Sequence, residues 1–142
     1  MNRYLNKHKT SENFLASEHQ CQGERYGTCK CEGAMKLDSR LSEIEQRIRD
    51  RVGRLIKLSG YRCPEHNRSL PNSSPTSQHM HGTAGDYSIE GTGLTVDQLA
   101  EIAIECGAVR VGKYYASKFI HVSCEDVYKP NGEVGQRSWI GD

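Results

Sequence analysis

A chain of 142 residues is sized for one domain with a modest core of its own. Hydrophobic residues make up 35%, and 19 Lys and Arg against 18 Asp and Glu leave a formal net charge of +1, so there is no electrostatic case for a nucleic-acid partner. No apolar run approaches membrane-spanning length, and Met1–Lys9 lacks the apolar stretch of a secretory signal, so the expectation is a monomer made in the cytoplasm.

In chain order, residues 1–10 are polar and read as loose, and 11–37 as an irregular wrap with one short helix starting at Ser11. The 6 cysteines are Cys21, Cys29, Cys31, Cys63, Cys106 and Cys124, and without a secretory signal they argue against a disulfide framework. Cys29-x-Cys31 lies among the turn formers Gly23, Gly27 and Gly33. Together with Cys63 these thiolates suit a second, structural zinc; free buried thiols or one disulfide is the other reading. Residues 38–54 form the clearest helix, with Leu41, Ile44, Ile48, Val52 and Leu55 in one apolar stripe. Asp38 or Ser39 caps it, and the charged positions between, Glu43 and Glu45 included, read as a solvated face. Residues 55–62 read as a strand ended by Pro64, with His66 and Asn67 organising a turn, and 67–78 as a Pro- and Ser-rich loop.

Ser77-Gln-His-Met-His-Gly-Thr-Ala-Gly-Asp86 then sets the imidazole of His79 seven residues before the carboxylate of Asp86, with Gly82, Ala84 and Gly85 between them. Two imidazoles and one carboxylate hold zinc and leave a fourth tetrahedral position for water. His79, Asp86 and His121 make such a set. The alternative is a polar loop carrying His79 and His81, a solvated Asp86, and a hydrogen-bonded core histidine at 121. Past Asp86, residues 87–89 continue a strand that Gly91-Thr-Gly93 turns. Thr95-Val-Asp-Gln98 is a capping box for a helix over 95–106, with Leu99, Ile102, Ala103 and Cys106 buried and Gly107 terminating it. Residues 108–115 and 118–124 read as a last strand pair, in which Phe119, His121 and Ser123 share one face.

Ser77-x-His79-x-x-Gly82-x-Ala84-x-Asp86 resembles the signature of the D-alanyl-D-alanine carboxypeptidase family of zinc peptidases. That family includes phage endolysins and shares its fold with the hedgehog signalling domain. The likeness extends upstream to Ser59-Gly-Tyr-Arg62-Cys-Pro-Glu-His-Asn67 and downstream to Gly112-x-Tyr114, Phe119-Ile-His121-Val and Arg137-x-Trp139, roughly residues 11 to 139. It implies an α+β fold, with helices 38–54 and 95–106 packed on a small antiparallel sheet that carries the ligands. It also implies one catalytic zinc on His79, Asp86 and His121, with zinc-bound water as the nucleophile.

Arg62 is implied to hold a carboxylate of the substrate peptide, while Ser77 or Tyr114 could support the oxyanion. The sequence departs from the family at the general base. Relatives carry glutamate three residues before the last histidine or aspartate two after it; Lys118 and Ser123 stand there instead. Glu125, Asp126 and His81 are the remaining candidates. Tyr114-Tyr-Ala-Ser-Lys118 is also similar to the hedgehog domain. The function implied is hydrolysis of peptidoglycan stem peptides or cross-links, as a D,D-carboxypeptidase or an endopeptidase of phage or prophage type that reaches the wall by release or by another protein's route. The alternative is a zinc-containing binding or assembly module of the same fold without turnover.

Overall fold

The computed structural model describes residues 8–71 and 73–142. Helix α1 (Ser39–Val52) begins where the Asp38 carboxylate accepts the Arg40 N–H at 2.8 Å and stops at Gly53, which adopts φ 83°. Helix α3 (Val96–Glu105) opens with the Thr95/Gln98 capping box, in which hydroxyl and amide each take the other residue's N–H. Leu41, Ile44 and Ile48 of α1 and Leu99, Ala100 and Ala103 of α3 are buried against Tyr87, Val111, Ile120 and Val122 of a sheet. Truncating any one of these large aliphatic side chains to alanine is worth about 2–5 kcal/mol.

That sheet has the order β3 (Ile56–Ser59), β4 (Ala84–Ser88), β6 (Phe119–Ser123), β5 (Arg110–Tyr114), β7 (Ser138–Ile140). Neighbours are antiparallel except β5 and β7, so the sheet is mixed where an antiparallel one is expected. Register aligns one row across it: Ser59 opposite Asp86, Asp86 opposite His121, His121 opposite Gly112, and Gly112 opposite Trp139. Because side chains alternate along a strand, the row lies on the face turned away from the apolar core.

Four expectations are corrected. No helix starts at Ser11: β1 (Lys9–Ser11) and β2 (Phe14–Leu15) pair as a small hairpin, followed by a 3-10 turn, Ala16–Glu18. Lys9 and Thr10 are therefore ordered in a strand, while residues 1–7 lie outside the described residues. Pro64 opens a helix, α2 (Pro64–Ser69), because proline is favoured in the first turn, where its missing N–H costs nothing. Glu45 does not face solvent. It is fully buried and accepts hydrogen bonds from Lys57 Nζ at 2.8 Å and from the Tyr87 hydroxyl. Among the described residues no helix is long and apolar enough to cross a membrane.

Candidate metal centre and its groove

His79 sits on a 3-10 turn, Gln78–His81, capped by Ser77, whose Oγ accepts the His79 N–H at 3.3 Å. The turn closes at Gly82 in the left-handed region, φ 73°, where a Cβ would come within 2.6 Å of the Lys36 backbone. Only glycine satisfies both demands. The ring of His79 is buried, and its Nδ1 lies 2.7 Å from the Gly60 carbonyl. A carbonyl only accepts, so Nδ1 carries the proton and Nε2 presents a lone pair. That Nε2 is 3.3 Å from Asp86 Oδ1, and His121 Nδ1 is 3.0 Å from the same oxygen.

Burial by itself raises the Asp86 pKa, but the two imidazoles that face it, His79 and His121, outweigh burial and hold the carboxyl well below its usual range. Burial also pushes the His121 imidazole down, with Asp86 pulling the other way. Asp86 is thus held ionised and His121 neutral, the states a cation needs.

The donor set fits zinc. The three ligand atoms lie within 4.8 Å of one another. Tetrahedral zinc with bonds of about 2.0–2.1 Å to N and O keeps its ligands about 3.3 Å apart, close to the two separations above. The Gly60 carbonyl supplies the outer contact that fixes a ligating histidine's tautomer and ring orientation.

The three residues line a groove of about 870 Å³. Arg62, Ser77 and Tyr114 line it too. Arg62 is pushed down by burial, with Asp86 opposing that shift. Its NH1 donates to Asn67 Oδ1 at 3.3 Å, while its buried Nε has no hydrogen-bond partner among the described residues. The Tyr114 hydroxyl accepts from Trp139 Nε1 at 3.2 Å, which leaves its own proton available to the groove.

The base candidates stand elsewhere. His81 Nδ1 and Glu125 Oε1 face each other at 3.1 Å, Thr83 donates to the same Glu125 oxygen, and Asp126 takes a fork of two bonds from Arg137. None of the three lines the groove, in which Asp86 is the one carboxylate among the described residues.

Sequence reasoning missed Arg110 and gave Trp139 no role. Arg110 donates to Gln78 Oε1 at 2.7 Å and stacks over Trp139, its Cζ 4.6 Å from the ring centroid. Trp139 in turn stands 5.2 Å from the His121 ring, in space a Cβ at Gly112 would occupy. Counting back by twos from Tyr114 through Gly112 would have put Arg110 on the groove face.

A family profile described as Peptidoglycan L,D-endopeptidase MepK matches residues 6–129. The chain belongs to that family. Its members are zinc metallopeptidases that hydrolyse peptide bonds of peptidoglycan, and the family carries the α+β architecture found here. The match takes in β1 to β6 and stops before β7, so Trp139 lies beyond it. No curated protein and no solved structure matches the chain.

Proposed function

We propose that this chain is an endopeptidase that cuts a stem-peptide or cross-link bond of peptidoglycan, at a junction between L- and D-configured residues. His79, Asp86 and His121 hold the zinc in this reading. The observation that carries it is the convergence of two imidazole nitrogens and one carboxylate oxygen on a single point in a groove that also contains two guanidinium groups. The family description supports the L,D bond.

Zinc held there supplies a Lewis acid that acidifies a water and polarises a carbonyl. The protein's own residues do the rest. Gly60 keeps His79 Nε2 deprotonated. Arg62, which lines the groove, offers its guanidinium to a carboxylate of the stem peptide. Ser77 and Tyr114, which line the groove, supply hydroxyls for the oxygen that gains charge. The chain acts on the wall after release or by another protein's route.

A second reading, a zinc-containing binding module without turnover, is favoured by one observation: no carboxylate other than Asp86 lines the groove among the described residues.

Digestion of purified cell walls and of defined muropeptides, followed by mass spectrometry, tests both readings. The zinc-loaded protein should release peptides cut internally, and chelation or His79→Ala should abolish this. Release of terminal D-alanine alone would make it a carboxypeptidase. Retention of intact muropeptides without products, by fully metallated protein, would favour the binding module.

A further inference from the structure

Four of the six cysteines meet in one place, away from the groove. Cys21 comes from the wrap, Cys29 and Cys31 from a knuckle eight residues further on, and Cys63 from the cap of α2. Their sulfurs lie within 4.8 Å of one another, with Cys21 to Cys29 at 3.9 Å and Cys29 to Cys31 at 3.5 Å. These are not disulfide distances, which are about 2.05 Å. Zinc–sulfur bonds of about 2.3 Å in a tetrahedron place sulfurs about 3.8 Å apart.

The backbone is shaped to the sulfurs. The Cys63 N–H points at Cys21 Sγ and the His66 N–H at Cys63 Sγ, each at 3.4 Å. Main-chain donors of this kind stabilise thiolate charge. After Cys31 the chain passes through two left-handed residues, Glu32 (φ 58°) and Gly33 (φ 73°), which fold the knuckle back. At Gly23 a Cβ would sit 2.4 Å from Cys29 Sγ.

The packing makes the case independently. Residues 19–38 form turns and bends with no helix or strand. The small cluster beneath them consists of Cys21, Cys29, Cys63 and Tyr61, with Cys31 and Ala34 at its edge. No aliphatic side chain larger than alanine belongs to it, so burial of apolar surface gives this segment little reason to order. A closed metal site does, because its binding free energy is folding free energy.

We propose that Cys21, Cys29, Cys31 and Cys63 bind one structural zinc, separate from the His79–Asp86–His121 centre. Cys21 completes the set in which Cys29, Cys31 and Cys63 are expected from the sequence. The site fastens the wrap to the Gly60–Cys63 segment. That segment holds His79 from both sides, through the Gly60 carbonyl on its ring and the Arg62 N–H on its own carbonyl at 3.1 Å. The second zinc therefore braces the wall of the groove that carries Arg62.

Metal analysis of protein produced with ample zinc should give two zincs per chain, and the double variant His79→Ala/His121→Ala should retain one. X-ray absorption on that variant should show a shell of four sulfurs at about 2.3 Å, and cobalt substitution should give sulfur-to-metal charge-transfer bands. A folded double variant that holds no zinc, or zinc without sulfur ligands, overturns the proposal. Should the double variant not fold, absorption on the unmodified protein decides: a sulfur component in the zinc shell is expected, and a shell of nitrogen and oxygen alone overturns it.

Discussion

Arg62 is the residue at which binding and metal chemistry separate. It touches no ligand atom of the centre, yet it lines the same groove and carries a buried Nε with no partner among the described residues. A carboxylate entering that groove is held best by a guanidinium, whose charge-assisted hydrogen bonds fix its orientation. Arg62→Ala should lower kcat/KM about 10- to 100-fold, the size of a charge-assisted hydrogen bond worth about 1.5–3 kcal/mol, mainly through KM. Arg62→Lys should recover little, since an ammonium keeps the charge but not the fork. Zinc content should stay unchanged in both. His121→Ala should instead lose the zinc of this centre together with all turnover, because it removes one of three ligand atoms. A zinc assay run beside steady-state kinetics distinguishes the two patterns; loss of zinc in Arg62→Ala would contradict the assignment.

The elements differ in how far they serve the centre. Gly82 ends the turn that carries His79, whereas Thr95 caps a helix on the far face of the sheet. Gly82→Ala faces a positive φ and the Lys36 backbone at once and should cost upwards of about 1–3 kcal/mol. Thr95→Ala should cost about 1 kcal/mol through the lost cap. Urea unfolding should register both, but only Gly82→Ala should weaken zinc binding, as read by competition with a chelator. Equal zinc affinity in the two variants would mean that the turn does not set the position of His79.

Where local chemistry names an element, the sequence reads directly. The stripe of α1, the capping box of α3 and the alternation around His121 each rest on neighbours within one turn or one strand. What stays hidden depends on partners distant along the chain. Pro64 looks like a strand ender until Cys63 is seen accepting the His66 N–H as a helix cap. Arg110 is an ordinary strand cation until β7 brings Trp139 beneath it. The cluster that could hold a metal was readable for the opposite reason: small residues and imidazoles gathered in one short stretch, with His121 set by register opposite Asp86.

Glu45 is the clearest case of a role fixed by the whole molecule. It belongs to a buried polar network that ties four parts of the chain together: His19 of the wrap, Glu45 of α1, Lys57 of β3 and Tyr87 of β4. Lys57 Nζ donates to Glu45 and to His19 Nδ1, the latter at 2.6 Å, so the second ring nitrogen of His19 holds the proton and meets Thr10 Oγ1 at 2.7 Å. His19 is therefore buried neutral, its pKa lowered to about 3 first by burial and then by Lys57. The sign follows from linkage. In the unfolded chain the imidazole takes up its proton near pH 6.5; in the folded protein it does so only near 3. The unfolded state thus binds more protons between those values, so the stability His19 contributes is fully present above about pH 6.5 and is lost as the pH falls toward 3, at up to about 1.4 kcal/mol per pH unit. Glu45, raised by burial, pulls the other way as the pH falls, so the informative quantity is a difference between two proteins. His19→Gln keeps an acceptor for Lys57 and a donor for Thr10 but cannot titrate. Urea unfolding at pH 4, 5 and 6 should show the unmodified protein losing stability faster on acidification than this variant, by about that slope. Parallel profiles would mean that His19 is already protonated in the folded state, with Glu45 and not Lys57 as its dominant neighbour.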